Sequence, residues 1–281
     1  MARESLDLID AMRSIAKAAH PITGRGIAYK LFATDLIPSM ALRDVRRVYR
    51  LLKIARERGI IPWRWIVDET RDLEKISAWD DPEDFADAAA SQYRRDFWSQ
   101  QPERVELWSE KGTIRGVLEP VLDRYAIGFR VLHGFSSATV VHDIAANRDR
   151  RPLTALYVGD WDPSGLYMSE RDLPDRLEEY GGRYITVLRI ALTREQLRRL
   201  PSFPASDKRK DPRYRWFVAN HGARCWEVDA LDPRQLRDRV ERHIKKCIRD
   251  RAAWQRCEQV NKAERESLRD VLSNWAVCCV G

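Results

Sequence analysis

The 281-residue chain is poor in the features that usually identify a protein quickly. No apolar run approaches the roughly 18 residues of a membrane span. The first residues, MARESLDLIDAMRSIAK, lack the apolar core of a secretory signal, so a cytoplasmic protein without membrane contact is expected. The five cysteines, Cys225, Cys247, Cys257, Cys278 and Cys279, are odd in number, form no CxxC pair and have no histidine at zinc spacing. They read as reduced thiols and argue against a zinc site. No GxGxxG or GxxxxGK[ST] loop follows an expected strand, which disfavours a nucleotide-processing enzyme on a Rossmann-like sheet. Repeats and low-complexity tracts are also missing. What the chain has is charge: 33% of residues are charged, the formal net charge is +7, and 44% are apolar. It is long enough for two domains or one large one, and its excess of Lys and Arg is what a polyanion-binding surface requires.

Residues 5 to 19 place Leu6, Ile9, Met12, Ile15 and Ala16 at helical spacing, ahead of Pro21. A second helix carries Ile27, Leu31 and Phe32, with Thr23 as its cap. A third, ALRDVRRVYRLLKIARERG, has Val45, Val48, Leu51, Leu52 and Ala55 on one face and Gly59 as its stop. IIPWRWIVDETR then reads as short extended segments. Three helices followed by a β-like wing suggest a winged-helix or helix-turn-helix domain over residues 1–75. The basic face of the third helix, Arg43, Arg46, Arg47, Arg50 and Lys53, suits DNA; a solvated helix face gives the same pattern. Residues 76–102 read as a linker with one helix, packed down by Tyr93, Phe97 and Trp98.

From residue 103 the pattern changes. RVELWSE, FRVLHG, TALYVGD and ITVLRIAL read as strands, separated by helical segments. That alternation predicts an α/β domain over 103–250 with a mostly parallel sheet, whose ligands lie beyond the carboxyl ends of the strands. Glu110, Gly134, Asp160 and Asp162 fall at that edge. The stretch LTALYVGDWDPSG, residues 153–165, runs an apolar strand into two aspartates one residue apart. Residues two apart on an extended chain point the same way, so both carboxylates can face one hard cation; an acidic solvated turn has the same composition. Glu110, Asp160 and Asp162 are enough ligands for magnesium or manganese, and Lys111 beside them is suited to a phosphate. Glu106 shares the side of Glu110 by parity but lies deeper. FPASDKRKDPRYRWF interleaves Lys208, Arg209, Lys210, Arg213 and Arg215 with Tyr214 and Trp216, a composition suited to a phosphate backbone. RCWEVDAL reads as one more strand. Residues 232–275 read as mostly helix, of which 251–281 form a carboxyl-terminal extension.

SEK at 109–111, some fifty residues before GDWDPSG, resembles the TOPRIM pattern of a glutamate after the first strand and a DxD after the third. The DPSG continuation is similar to the DPxG of the topoisomerase VI A subunit and the related meiotic double-strand-break transesterases. RCWEVDAL resembles that family's late E-[IVL]-[ED]-A-L segment, with DKRKDPR placed like its charged loop. RGIAY, residues 25–29, keeps the arginine, the aliphatic residue and the last tyrosine of the family's R-[DE]-[IL]-[YF]-Y motif, with Gly26 and Ala28 departing from it. The chain is thus similar to a short bacterial or phage-type relative. The resemblance implies a winged-helix domain, a TOPRIM domain and magnesium-dependent DNA cleavage, with Tyr29 as nucleophile and Arg25 as phosphate clamp. It also implies a homodimer, in which the tyrosine of one subunit works with the metal site of the other, and an ATPase B-type partner for strand passage. A hydrolytic TOPRIM nuclease without tyrosine linkage and a non-catalytic DNA-binding module are the alternatives.

Overall fold

The computed structural model describes residues 3–67, 78–132, 138–147, 149 and 151–279, with side chains up to 275. In chain order the elements are α1 (Arg3–Ala19), β1 (Ile22–Thr23), α2 (Gly24–Ala33), α3 (Leu42–Glu57), β2 (Ile66–Val67), α4 (Pro82–Gln92), β3 (Arg104–Ser109) and α5 (Thr113–Tyr125). There follow β4 (Gly128–Val131), α6 (Ala138–Ala145), β5 (Leu153–Val158), α7 (Pro163–Tyr167), α8 (Leu173–Glu179), β6 (Ile185–Ala191) and α9 (Arg194–Leu197). The last are β7 (Phe203–Pro204), α10 (Tyr214–His221), β8 (Arg224–Cys225), α11 (Pro233–Cys247) and α12 (Arg251–Cys279). They fall into two compact units, one of residues 1–70 with 105–245, the other of 71–104 with 246–281.

The first unit is mixed α/β. Its four-stranded sheet has the order β4-β3-β5-β6, with β4 parallel to β3 and β6 parallel to β5. The expected alternation of strands and helices is therefore present, although Gly134 lies outside the described residues. β5 is apolar along nearly its whole length because it is an inner strand, covered on both faces. Its neighbour β6 alternates half-buried and exposed positions, as an edge strand with one covered face does. Between Tyr157 and Val158 the β5–β6 register skips Ile190, which makes a bulge at the carboxyl end of the sheet.

The three amino-terminal helices share a core of Ile9, Met12, Ile27, Leu31, Val48 and Leu52. Within α1 the inward position is Leu8, whereas Leu6 is 45% exposed. Thr23 caps α2 as anticipated, accepting from the Gly26 N–H at 2.9 Å, and Gly59 ends α3 at a φ of +70°. The expected wing is represented by a 3-10 turn at Trp63–Trp65 and by β2, which pairs in parallel with β1. Its last residues, from Asp68, lie outside the described residues.

Two expectations about segmentation need correction. The amino-terminal helices and the sheet, expected as separate domains, form one unit, because α2 packs on the turn at Val228–Ala230 and α5 on β1 and β2. The helical segment after 232 is two helices, not one, broken at residues 248–250, and its halves fall in different units. In the second unit α12 packs on α4, the helix expected in the linker. Phe97 and Trp98 both meet Trp254 edge-on, and Tyr93 donates to Glu264 at 2.7 Å. Cys225, Cys247 and Cys257 are free and buried.

Candidate active site

The loop after β5 owes its shape to four residues. Asp162 accepts the Gly165 N–H at 2.8 Å and so caps α7, and Pro163 follows at the first helical position, where no N–H is needed. A Cβ on Gly165 would stand 2.5 Å from the Asp160 carbonyl oxygen, so the helix comes this close to the strand end only because that residue is glycine. Trp161, between the aspartates, exchanges backbone hydrogen bonds with Trp226 at 2.9 and 3.0 Å. That clasp joins the DxD loop to Glu227 and Asp229. RCWEVDAL accordingly contributes only the short β8, this bridge and a 3-10 turn, where a full strand was expected. Asp160 and Asp162 are 6% and 4% exposed.

Arg189 holds the same loop from β6. Its guanidinium lies against the Tyr157 ring and donates to the carbonyls of Gly159 at 3.0 Å, Asp160 at 3.2 Å and Gly165 at 2.6 Å, and to the Ser169 hydroxyl at 2.9 Å. A single arginine thus fixes both the strand end and the start of the helix. The signal in the sequence was a lone charge inside the apolar run ITVLRIAL.

Charges alternate across the site. Lys111 Nζ lies 2.9 Å from Asp160 and 3.0 Å from Asp229, and Lys208 Nζ lies 3.3 Å from Asp162. Arg25 is paired with Glu227 through both nitrogens of its fork, one bond at 2.7 Å. The Thr23 hydroxyl donates to Asp229 at 2.6 Å, and Asp160 also accepts the Val228 N–H at 2.8 Å. Burial opposes the charge on Lys111, but Asp160, Asp229 and Glu227 outweigh it and hold its pKa well above the usual lysine value. One ammonium cannot neutralise two carboxylates fully. Burial would raise Asp229, but Lys111 and Thr23 hold it below the usual range, while Asp160 is pushed up by burial and by Asp162.

Glu110 is the carboxylate that this pairing leaves out. Its Oε2 is buried and has no hydrogen-bond partner. Burial first, then Asp160 and Asp162, push its pKa up to about 7. Glu106 plays no part in the cluster, since Arg130 and the Trp108 indole N–H occupy its carboxylate. Hard carboxylate oxygens, one of them unpartnered and buried, suit magnesium or manganese in kind. Among the described residues, however, no group of three or more Asp, Glu, His or Cys side chains is placed to hold one metal ion. Asp160 and Asp162 are occupied instead by ammonium groups.

Tyr29 is 4% exposed, and Arg25 lies over its ring at 5.7 Å from the centroid. Burial, followed by Glu227, raises the pKa of its hydroxyl against the pull of Arg25 and Lys111. Arg25 and Lys111 also line a cavity of about 640 Å³ with Tyr49, Lys53, Arg56 and Asp229. No family model and no curated protein matches the chain.

The residues expected to contact DNA do not form one group. On α3, Arg43, Arg46, Arg50 and Lys53 are exposed, whereas Arg47 is half-buried and paired with Glu4 at 2.8 Å. In the charged loop Arg209, Lys210 and Arg215 are exposed, Arg213 is turned to Asp211, and Lys208 is bound to Asp162. Glu227, Asp229 and Arg189 are site residues that sequence reasoning missed.

Proposed function

We propose that the protein binds DNA and cleaves its phosphodiester backbone with a divalent metal ion, on a winged-helix domain joined to a TOPRIM domain of the topoisomerase VI A type. The observation that carries this reading is Glu110, a half-buried residue with one buried, unpartnered carboxylate oxygen, beside Asp160 and Asp162 at the carboxyl edge of the sheet. Glu110, Asp160 and Asp162 would hold magnesium or manganese. When bound, the metal polarises the phosphoryl oxygen and stabilises the departing one. The chain's own cations do the rest of the binding. Lys53 and Arg56 line one cavity beside Arg25 and Lys111, which a phosphate would draw away from Glu227 and from Asp160 and Asp229. Arg25 stacks on Tyr29 and is suited to hold a phosphate against its hydroxyl, which would attack the phosphorus and take over the ester bond as the 3′ oxygen leaves.

A plasmid-nicking assay with magnesium, manganese or EDTA, stopped with denaturant, tests this. Wild type should nick only with metal and leave protein on a 5′ end, and Asp160→Ala should abolish nicking. Absence of nicking with any divalent ion, with DNA binding retained, would establish a binding module instead. The raised pKa of the Tyr29 hydroxyl favours one further reading, a hydrolytic nuclease. In that case Tyr29→Phe nicks like wild type and no protein is trapped. The homodimer, the ATPase B-type partner and the cytoplasmic location belong to the same proposal. Among the described residues no helix is long and apolar enough to cross a membrane.

A further inference from the structure

In a second cavity, of about 660 Å³, Tyr29 and Lys30 of α2 form one of the walls. Arg198 and Arg199, just after α9, form another, and Gln235, Arg239 and Arg242 of α11 a third. These last three lie at i, i+4 and i+7, along one helix face. The lining carries five cations and only two carboxylates. One of those, Asp232, is already taken by Lys30 at 2.6 Å and by the Arg234 N–H at 2.8 Å. The other, Glu195, is exposed.

Two of the five cations are held in place, Lys30 by Asp232 and Arg239 by the end of β6. Arg239 donates through Nε to the carbonyl of Ile190, the bulged residue of β6, and through Nη2 to the Thr193 hydroxyl at 3.2 Å. Its Nη1 has no partner among the described residues. The segment bearing Arg198 and Arg199 is anchored by the capping box of Thr193 and Gln196 and by the Trp226 indole N–H, which donates to the Leu200 carbonyl at 3.1 Å. Arg198, Arg199 and Arg242 are exposed, and their guanidinium groups make no hydrogen bond or ion pair among the described residues. Five cations set against two carboxylates leave positive charge in excess, and an oxyanion relieves the repulsion among the guanidinium groups.

We propose that this cavity is a phosphate-binding site that takes the backbone of a nucleic-acid strand beside Tyr29. Among the described residues Tyr29 is the only aromatic one in the lining, so there is no platform for a free nucleotide's base, and the chemistry fits a phosphate chain. The choice of nucleic acid rests on the DNA reading above; the phosphate site itself does not.

The test uses the full chain in EDTA, with anisotropy of a short labelled duplex across a salt series and calorimetry with inorganic pyrophosphate. Reversing the exposed pair, R198E/R242E, should weaken duplex binding roughly tenfold for each charge-assisted hydrogen bond removed. It should also reduce the slope of log affinity against log salt by about 2. R242A alone, with half that slope change, serves if the double variant fails to fold by circular dichroism. The proposal is overturned if the variants bind duplex like wild type with the same slope, even where nicking persists and the cleavage reading stands. It is equally overturned if wild type binds pyrophosphate but no duplex, which would make the cavity a site for a free phosphate compound. Loss of duplex affinity in the variants, in a wild type that binds but never nicks, upholds the cavity and removes the cleavage reading alone.

Discussion

Replacing Glu110 by glutamine should make the protein more stable, and only above a definite pH. Below pH 4.5 the carboxyl is protonated in both the folded and the unfolded chain, and the substitution changes little. Between that value and about 7 the unfolded chain releases its proton while the folded chain keeps it, so wild-type stability falls as pH rises. Above about 7 the loss is complete. A displacement from 4.5 to about 7 corresponds to about 3 kcal/mol, since each pKa unit is worth about 1.4 kcal/mol. Glutamine keeps the shape and carries no charge, so Glu110→Gln should unfold at equal urea concentration to wild type at pH 4.5 and at clearly higher concentration at pH 8. Magnesium added at pH 8 should raise the wild-type midpoint and leave that of the variant where it was. The reasoning is refuted if the difference between the two proteins is the same at both pH values, because the carboxylate would then be solvated and nothing at the site would want a cation.

Two further substitutions probe the scaffold. Arg189→Met leaves several buried carbonyls without their shared donor and should cost about 3 kcal/mol in urea unfolding. Arg189→Lys should recover only part of this, since an ammonium cannot span the fork's partners. Gly165→Ala drives a methyl to 2.5 Å from the Asp160 carbonyl oxygen, so it should lower stability by about 1 to 3 kcal/mol and shift the Asp160 backbone resonances. An unchanged melting temperature for that variant would mean the loop has room that its geometry denies.

The parts of this protein that sequence reading recovers are those governed by neighbours along the chain. Periodicity located α3 and β5, and Thr23 announced the start of α2. The parts it missed depend on partners far apart in the chain, up to 206 residues for Thr23 and Asp229. Glu227 and Asp229 stood in a segment resembling a family motif but carried no role in the site, because Arg25, Thr23 and Lys111, which give them one, leave no local pattern. Lys208 read as a free cation for the same reason, since Asp162 lies across the fold. Helix continuity beyond residue 232 was misjudged because apolar spacing persists through a break that carries no proline or glycine.

The clasp between Trp161 and Trp226 has a consequence for how the protein is born. Thr23 and Asp229 are 206 residues apart, and Arg25 and Glu227 are 202 apart. A ribosome has therefore made most of the chain before Thr23 and Arg25 can meet Asp229 and Glu227. Until then Arg25 lacks its carboxylate partner, and a product truncated ahead of Glu227 would never gain it. The carboxylates at 227 and 229 thus close the site last: only a chain translated through them can give Thr23 and Arg25 their partners.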